Sequence, residues 1–69
     1  MENTYSVQGM TCNHCVHAVT EEVSAIPGVD AVRVSLDQAS MVVSSTQQID
    51  FEAIKAAVSE AGDYTVQPA

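Results

Sequence analysis

The sequence predicts an α+β fold in which four strands form one antiparallel sheet and two helices pack on the same face of it. Two segments have apolar residues at helical spacing, and four short segments have the composition or alternation of strands. Turn residues separate these segments in the order β-α-β-β-α-β. With 69 residues there is room for one small core, and neither helix can bury its apolar stripe without the sheet. We therefore expect a single domain over residues 1–69.

The first half of the chain predicts a strand followed by a helix. Tyr5 and Val7 alternate with polar residues over 3–8, which is the pattern of a half-buried strand. After that strand the apolar spacing changes to three and four residues, which is typical of an amphipathic helix. The apolar stripe of this helix consists of Cys15 or Val16, Val19, Val23 and Ile26. The pair Pro27-Gly28 then ends the helix.

The second half of the chain predicts a hairpin, a second helix and a final strand. Apolar and polar residues alternate over 29–36 and return over 41–45, and the polar connector between them contains no glycine. Asp50 is a suitable N-cap for a helix over 51–61, and Gly62 follows its end. The residues expected to face the core are Val32, Val34, Leu36, Met41, Val43, Phe51, Ile54, Val58, Ala61, Tyr64 and Val66. The final strand is expected at Tyr64 to Val66, and the complete order is that of ferredoxin-like folds.

Charge and composition exclude several classes of partner. The net charge is −7, and Arg33 and Lys55 are the only lysine or arginine residues, so nucleic acid and anionic lipid surfaces are repelled. No apolar segment approaches the roughly 20 residues that span a bilayer, and the N-terminal residues do not resemble a secretion signal. We therefore expect a cytoplasmic protein without membrane insertion, in which cysteines stay reduced.

Both cysteines lie at one point of the chain, where the strand pattern changes to the helix pattern. Cys12 and Cys15 fall on the first turn of the predicted helix, where free N–H groups and partial positive charge favour thiolates. Two soft thiolates with few other ligands favour Cu(I) over hard cations. The fold should also place residues 9–15 beside 62–64. Because so small a chain has little room for a substrate cavity, we expect a metal carrier and not an enzyme.

Other uses of the cysteine pair remain as alternatives. A thiol-disulfide redox module is disfavoured because the chain is short and has no tryptophan before the motif. A closed zinc site needs four ligands, and on a helix His17 points roughly 200° away from Cys15. A carrier of zinc, cadmium or mercury stays open, as does an excised N-terminal module of a transport ATPase. Met1 and the end at Ala69 favour a free-standing protein.

A family resemblance rests on the run Gly-Met-Thr-Cys-Asn-His-Cys at 9–15. Together with Gly28-Val29, the Val-x-Val-x-Leu run at 32–36 and Ile54, it resembles the heavy-metal-associated domain family, and in particular bacterial copper chaperones. The likeness covers about residues 3–67. It implies a ferredoxin-like fold that binds Cu(I) through Cys12 and Cys15. It also implies transfer by thiolate exchange to the metal-binding domain of a copper-exporting P-type ATPase, with a copper-responsive repressor and a copper-bridged homodimer as further partners.

Several neighbours of the cysteines are candidates for accessory roles. We expect Met10 to anchor the loop in the core more than to act as a thioether ligand. His14 is expected at the surface, where it would be a third ligand only in a dimer or cluster, and Thr11 is expected to brace the loop. Relative to the family pattern, Asp63 displaces Tyr64 by one residue. We expect the loop to absorb this extra residue, and we expect the Asp63 charge to raise the thiol pKa values.

Overall fold

The computed structural model describes all 69 residues and has the predicted element order. The elements are β1 (Glu2–Gln8), α1 (Asn13–Ser24), β2 (Val29–Ser35), β3 (Ser40–Ser45), α2 (Phe51–Ala61) and β4 (Thr65–Pro68). The strands lie in the order β2-β3-β1-β4, and every neighbouring pair is antiparallel. This confirms the α+β, ferredoxin-like prediction. Neither helix is long and apolar enough to cross a bilayer.

The core lies between one face of the sheet and the two helices. Each helix buries two residues of its apolar stripe, and these meet the inward-facing residues of β1, β3 and β4. The buried apolar residues are Tyr5, Val7, Val19, Val23, Met41, Val43, Ile54, Val58 and Val66. All of them were expected to face inward. Val32 and Val34 of the edge strand β2 are half-buried against this cluster, since a strand at the sheet edge has less cover.

The hairpin turn begins one residue earlier than the alternation predicts. Leu36 lies in the turn and not in β2, because its carbonyl accepts a hydrogen bond from the Ala39 N–H at 3.3 Å and so closes the loop. Ala39 ends the turn in the left-handed region, with φ of 50°. Its carbonyl in turn accepts from the Val7 N–H at 2.8 Å, which attaches the turn to β1. The prediction that Leu36 continues the buried face of the strand was therefore wrong.

The segment after α2 absorbs the extra residue Asp63 as expected. The Tyr64 N–H donates to the Gly62 carbonyl at 2.9 Å, which makes a three-residue γ-turn with Asp63 at its centre. Val66 consequently faces the core, with 6% of its surface exposed, and pairs with Val7. Tyr64 itself precedes β4, where the sequence placed it inside the strand, yet it packs against the core.

Candidate metal centre

The two cysteines occupy different positions relative to the start of α1. Cys12 is the N-cap, with extended backbone angles of φ −159° and ψ 175°, and its side chain makes no capping hydrogen bond. Its carbonyl accepts from the Cys15 N–H at 3.1 Å and from the Val16 N–H at 3.4 Å, which fixes the first turn. Cys15 therefore lies on the helix and Cys12 just outside it. The first turn contains no acidic side chain that would oppose a thiolate.

The sulfur atoms are spaced for a shared metal ion. The Sγ atoms of Cys12 and Cys15 lie 4.0 Å apart, and both thiols are free. With metal–sulfur bonds of about 2.3 Å, that separation corresponds to a sulfur–metal–sulfur angle of about 120°, and a linear arrangement needs only about 0.6 Å of opening. Cys12 is exposed and Cys15 is half-buried. A second protein can therefore reach the pair from solvent.

The surroundings of Cys15 favour its thiolate form. Hydrogen bonding from the Thr11 backbone N–H, followed by the Tyr64 hydroxyl, lowers the pKa of Cys15 from the ordinary 9.0 to about 6. The Thr11 hydroxyl, with its Oγ1 3.8 Å from the Cys15 sulfur, and the Cys12 N–H contribute in the same direction, while burial opposes them. The Thr11 contact confirms the expected bracing role. The side-chain atoms within hydrogen-bond distance of this sulfur are the Thr11 Oγ1 and the Cys12 Sγ.

Two glycines determine where the Tyr64 ring lies. A Cβ at Gly62 would come within 2.9 Å of the ring, and a Cβ at Gly9 would come within 3.3 Å of it. The ring therefore fits between two backbone segments that have no side chains. This arrangement brings 62–64 beside 9–15, as the topology predicts. The sequence alone did not determine whether the Tyr64 hydroxyl stays beside the cysteines, because that depends on the γ-turn.

The charge of Asp63 acts on Tyr64, and the expectation that it raises the thiol pKa values is wrong for Cys15. Hydrogen bonding to Cys15 raises the pKa of Tyr64 first, and burial and the negative charges of Cys15, Cys12 and Asp63 add to the effect. Asp63 is not among the groups that shift the pKa of Cys15. The Tyr64 hydroxyl therefore keeps its proton and remains a donor to the thiolate.

The remaining candidates do not extend the set of ligands within the chain. Met10 is half-buried and packs against the core cluster, which supports its role as a loop anchor. His14 and His17 are exposed on α1. No three side chains among histidine, cysteine, aspartate and glutamate lie close enough to hold one ion. The two thiols are the soft donors that the structure brings together.

Comparison with known proteins agrees with this geometry. The sequence pattern of heavy-metal-associated domains matches residues 4–63, which is most of the chain. The chain belongs to the heavy-metal-associated domain family. Its four-stranded antiparallel sheet and two helices are shared with solved structures of this family. One of them, a CopZ metallochaperone, superposes with a TM-score of 0.87 at 26% identity, covering 97% of this chain and 100% of that one.

Curated relatives of this heavy-metal-associated domain include small chaperones and long transporters. The copper chaperone CopZ of Bacillus subtilis is 39% identical over 62 residues, covering 90% of this chain and 81% of its own length. Copper-transporting ATPase 1 of Rhizobium meliloti is 37% identical over 65 residues, covering 94% of this chain. The chain spans only 8% of the length of that ATPase. The same domain therefore occurs in small chaperones and as part of long transporters.

Proposed function

We propose that this chain is a copper chaperone of the CopZ type, which carries one Cu(I) ion between Cys12 and Cys15. The observation that carries the proposal is the pair of free sulfur atoms 4.0 Å apart at the exposed start of α1. Thiolates are soft ligands, and a site with only two of them suits Cu(I) better than a hard cation. The names of the chaperone and ATPase relatives support copper as the cargo.

Loading of the ion depends on the protonation state of Cys15. With a pKa of about 6, this thiol is mostly ionised at neutral pH. Copper binding at that pH therefore releases few protons from Cys15. The Thr11 hydroxyl contacts the sulfur, and the Tyr64 hydroxyl helps to lower the pKa of this thiol. Cys12 is exposed and completes the pair from the N-cap position. The chain contributes ligands and their orientation and performs no chemical conversion, so we propose binding without catalysis.

Transfer follows from the low number of ligands. A thiolate of the acceptor approaches the ion from the solvent side and forms a three-coordinate intermediate that the two proteins share. Cys12 is exposed and makes no capping hydrogen bond, so it leaves first. Cys15 lies on the helix and contacts the Thr11 hydroxyl, so it leaves last. No oxidation or reduction is needed, because one metal–sulfur bond forms for each one that breaks.

The proposed acceptor is the metal-binding domain of a copper-exporting P-type ATPase, and the proposed location is the cytoplasm. A copper-responsive repressor is a second acceptor, and a copper-bridged homodimer is a storage form in which His14 would be a third ligand. The match to a long ATPase supports a second candidate function, in which this domain is a module of the transporter itself. An antibody against the domain separates the two in cell extracts. It detects either a chain of about this size or one many times longer.

The direct test is an anaerobic Cu(I) titration of the reduced protein against a chromogenic chelator, with Zn(II) titrated in parallel. We expect tight Cu(I) binding and much weaker Zn(II) retention. Cys12→Ser and Cys15→Ser should each lose more Cu(I) affinity than the ~10- to 100-fold that removal of a supporting contact costs. Met10→Leu serves as the matched control and should keep wild-type affinity, since Met10 packs in the core.

Two results would contradict the proposal. Unchanged Cu(I) affinity in either cysteine variant would exclude the two-thiolate site. Zn(II) binding as strong as Cu(I) binding would make copper the wrong cargo, and His14, His17 and Asp63 would be the next ligands to replace. Circular dichroism of each variant separates a lost ligand from a lost fold.

A further inference from the structure

Three connections meet at the end of the molecule that carries the cysteines. The β2–β3 turn is attached to the end of β1, because the Val7 N–H donates to the Ala39 carbonyl at 2.8 Å. The segment after α2 lies against the loop after β1, with the Asp63 carbonyl oxygen 3.1 Å from where a Cβ on Gly9 would lie. We call these connections the metal end, which consists of the cysteine loop 9–12, the turn 36–39 and the segment 62–64. Because β3 and β4 pair with opposite edges of β1, the turn and the segment flank the cysteine loop on opposite sides.

Both flanking connections carry an exposed aspartate on a backbone that hydrogen bonds hold in place. Asp37 lies in the turn that the Ala39 N–H closes onto the Leu36 carbonyl at 3.3 Å. Asp63 is the central residue of the γ-turn after α2. Neither carboxylate takes part in a hydrogen bond of the chain. Both charges are therefore available to a second molecule that approaches the cysteines.

The lysine and the arginine of the chain lie away from the metal end. Arg33 belongs to β2 and lies on the sheet face away from the helices, where it lines a hollow with Glu2 and Ser44. Lys55 is in α2, about 9 Å before that helix ends at Ala61. The surface that flanks the thiols is therefore negative, and no lysine or arginine of the chain lies in the metal end.

A protein that exchanges Cu(I) with this domain has to touch the metal end. Cys12 is exposed and Cys15 is half-buried, so a thiolate of a second protein reaches the ion only when the two surfaces meet around the cysteine loop. That contact removes water from the flanking carboxylates. A carboxylate that loses water without gaining a partner disfavours the complex, whereas a cation opposite it speeds association. The charge of the second protein therefore decides how readily it docks.

We propose that Asp63 and Asp37 select a copper-exchange partner that has lysine or arginine beside its own cysteines, an inference that rests on the proposed function. Asp63 is the main contact, because its backbone packs against the cysteine loop at Gly9. Asp37 contributes less, because it is attached to the metal end from the β3 side through the turn. A protein with acidic residues at the matching positions is rejected by like charge.

The test measures Cu(I) transfer from the full loaded chain to two dithiol peptides that differ only in charge. The peptides are acetyl-Lys-Cys-Ala-Ala-Cys-Lys-amide and acetyl-Glu-Cys-Ala-Ala-Cys-Glu-amide, used without oxygen at pH 8, where histidine is ordinarily neutral. In nitrogen-15 spectra, exchange between the loaded and metal-free amide signals of residues 11–15 gives the transfer rate. Each variant is compared with the wild type for the same peptide, so differences between the thiols of the two peptides cancel.

The expected effects have opposite signs for the two peptides. At low ionic strength Asp63→Asn should slow transfer to the lysine peptide by roughly threefold and speed transfer to the glutamate peptide by a similar factor, which is the size of one exposed charge pair. Asp37→Asn should act in the same directions to a smaller extent. Both effects should fade in 1 M salt, where the screening length falls to about 3 Å. Glu52→Gln is the matched control, because it removes an exposed carboxylate from the other end of α2, and it should transfer at wild-type rates.

Three results would overturn the proposal. Wild-type rates for Asp63→Asn with both peptides would remove this carboxylate from the contact. A change in the same direction with both peptides would mean that Asp63 acts on the bound ion and not on the choice of partner. Effects that persist in 1 M salt would exclude pairing of charges as their cause. A chain that takes up no Cu(I) in the chelator titration would instead contradict the proposed function itself, so the two failures are distinguishable.

Discussion

Cys15 is the residue whose surroundings most affect the proposed chemistry. The sequence predicts a thiolate at a helix start, but the structure adds two neighbours from different segments. Thr11 comes from the loop before the helix, and Tyr64 comes from the far end of the chain. The Thr11 role was predictable because it is local. The Tyr64 role was not, since it depends on how a γ-turn around Asp63 places the ring.

The lowered pKa of Cys15 makes stability depend on pH. The thiol ionises at about 6 in the folded chain and at about 9.0 in the unfolded one, so between these values the unfolded state binds more protons. The free energy of unfolding of the reduced, metal-free protein should therefore rise from pH 6 to pH 9 and lose this contribution as pH falls through 6. Urea unfolding at several pH values measures it.

Two variants test the origin of that slope. Cys15→Ser should remove this part of the pH dependence, and Tyr64→Phe should reduce it, because loss of the hydroxyl raises the Cys15 pKa. Thr46→Ala is an exposed control and should behave like the wild type. A slope that persists unchanged in Cys15→Ser would show that other groups cause it.

At the level of elements, the sequence predicted all six helices and strands with boundaries close to those observed. Apolar spacing works well here because each element buries one face. Errors occur where an element ends. The alternation of apolar and polar residues continues through Leu36, although the backbone turns after Ser35. Tyr64 packs on the same side as the inward face of β4, but its backbone is not part of that strand. Side-chain polarity reports which face is buried, but turn hydrogen bonds decide where a strand stops.

The β2–β3 turn offers a stability prediction. Ala39 adopts φ of 50°, a conformation that costs a residue with a Cβ roughly 1–2 kcal/mol. Ala39→Gly should remove that cost. The glycine also raises the conformational entropy of the unfolded chain, which offsets the gain by about 0.4–1 kcal/mol. We expect a net stabilisation of roughly 0.5–1 kcal/mol in urea unfolding. Ala56→Gly, on the exposed side of α2, should instead destabilise by about 1 kcal/mol. Destabilisation by both would argue against strain at Ala39.

In the whole molecule, the core and the metal loop are separate parts that share a boundary. The buried cluster lies between the sheet and the helices, whereas the cysteines lie where β1 passes into α1. Met10 and Tyr64 form the boundary between the two parts, because both side chains pack against the core cluster and lie beside the cysteines. The sequence predicted this division because the apolar stripes and the cysteine pair occupy different positions.

This separation predicts opposite effects of core and loop substitutions. Ile54→Val removes one methylene from a fully buried side chain and should lower the free energy of unfolding by about 0.5–1.5 kcal/mol. Its Cu(I) affinity and Cys15 pKa should stay at wild-type values, since Ile54 is far along α2 from the loop. Cys12→Ser should lower the Cu(I) affinity and leave the free energy of unfolding unchanged. Cys12 is exposed, and its side chain makes no capping hydrogen bond. Urea unfolding and chelator competition on both variants provide the four measurements. A loss of copper affinity in Ile54→Val would mean that the loop geometry depends on core packing beyond Met10 and Tyr64. Unchanged affinity would show that the thiolate geometry does not depend on the packing around Ile54.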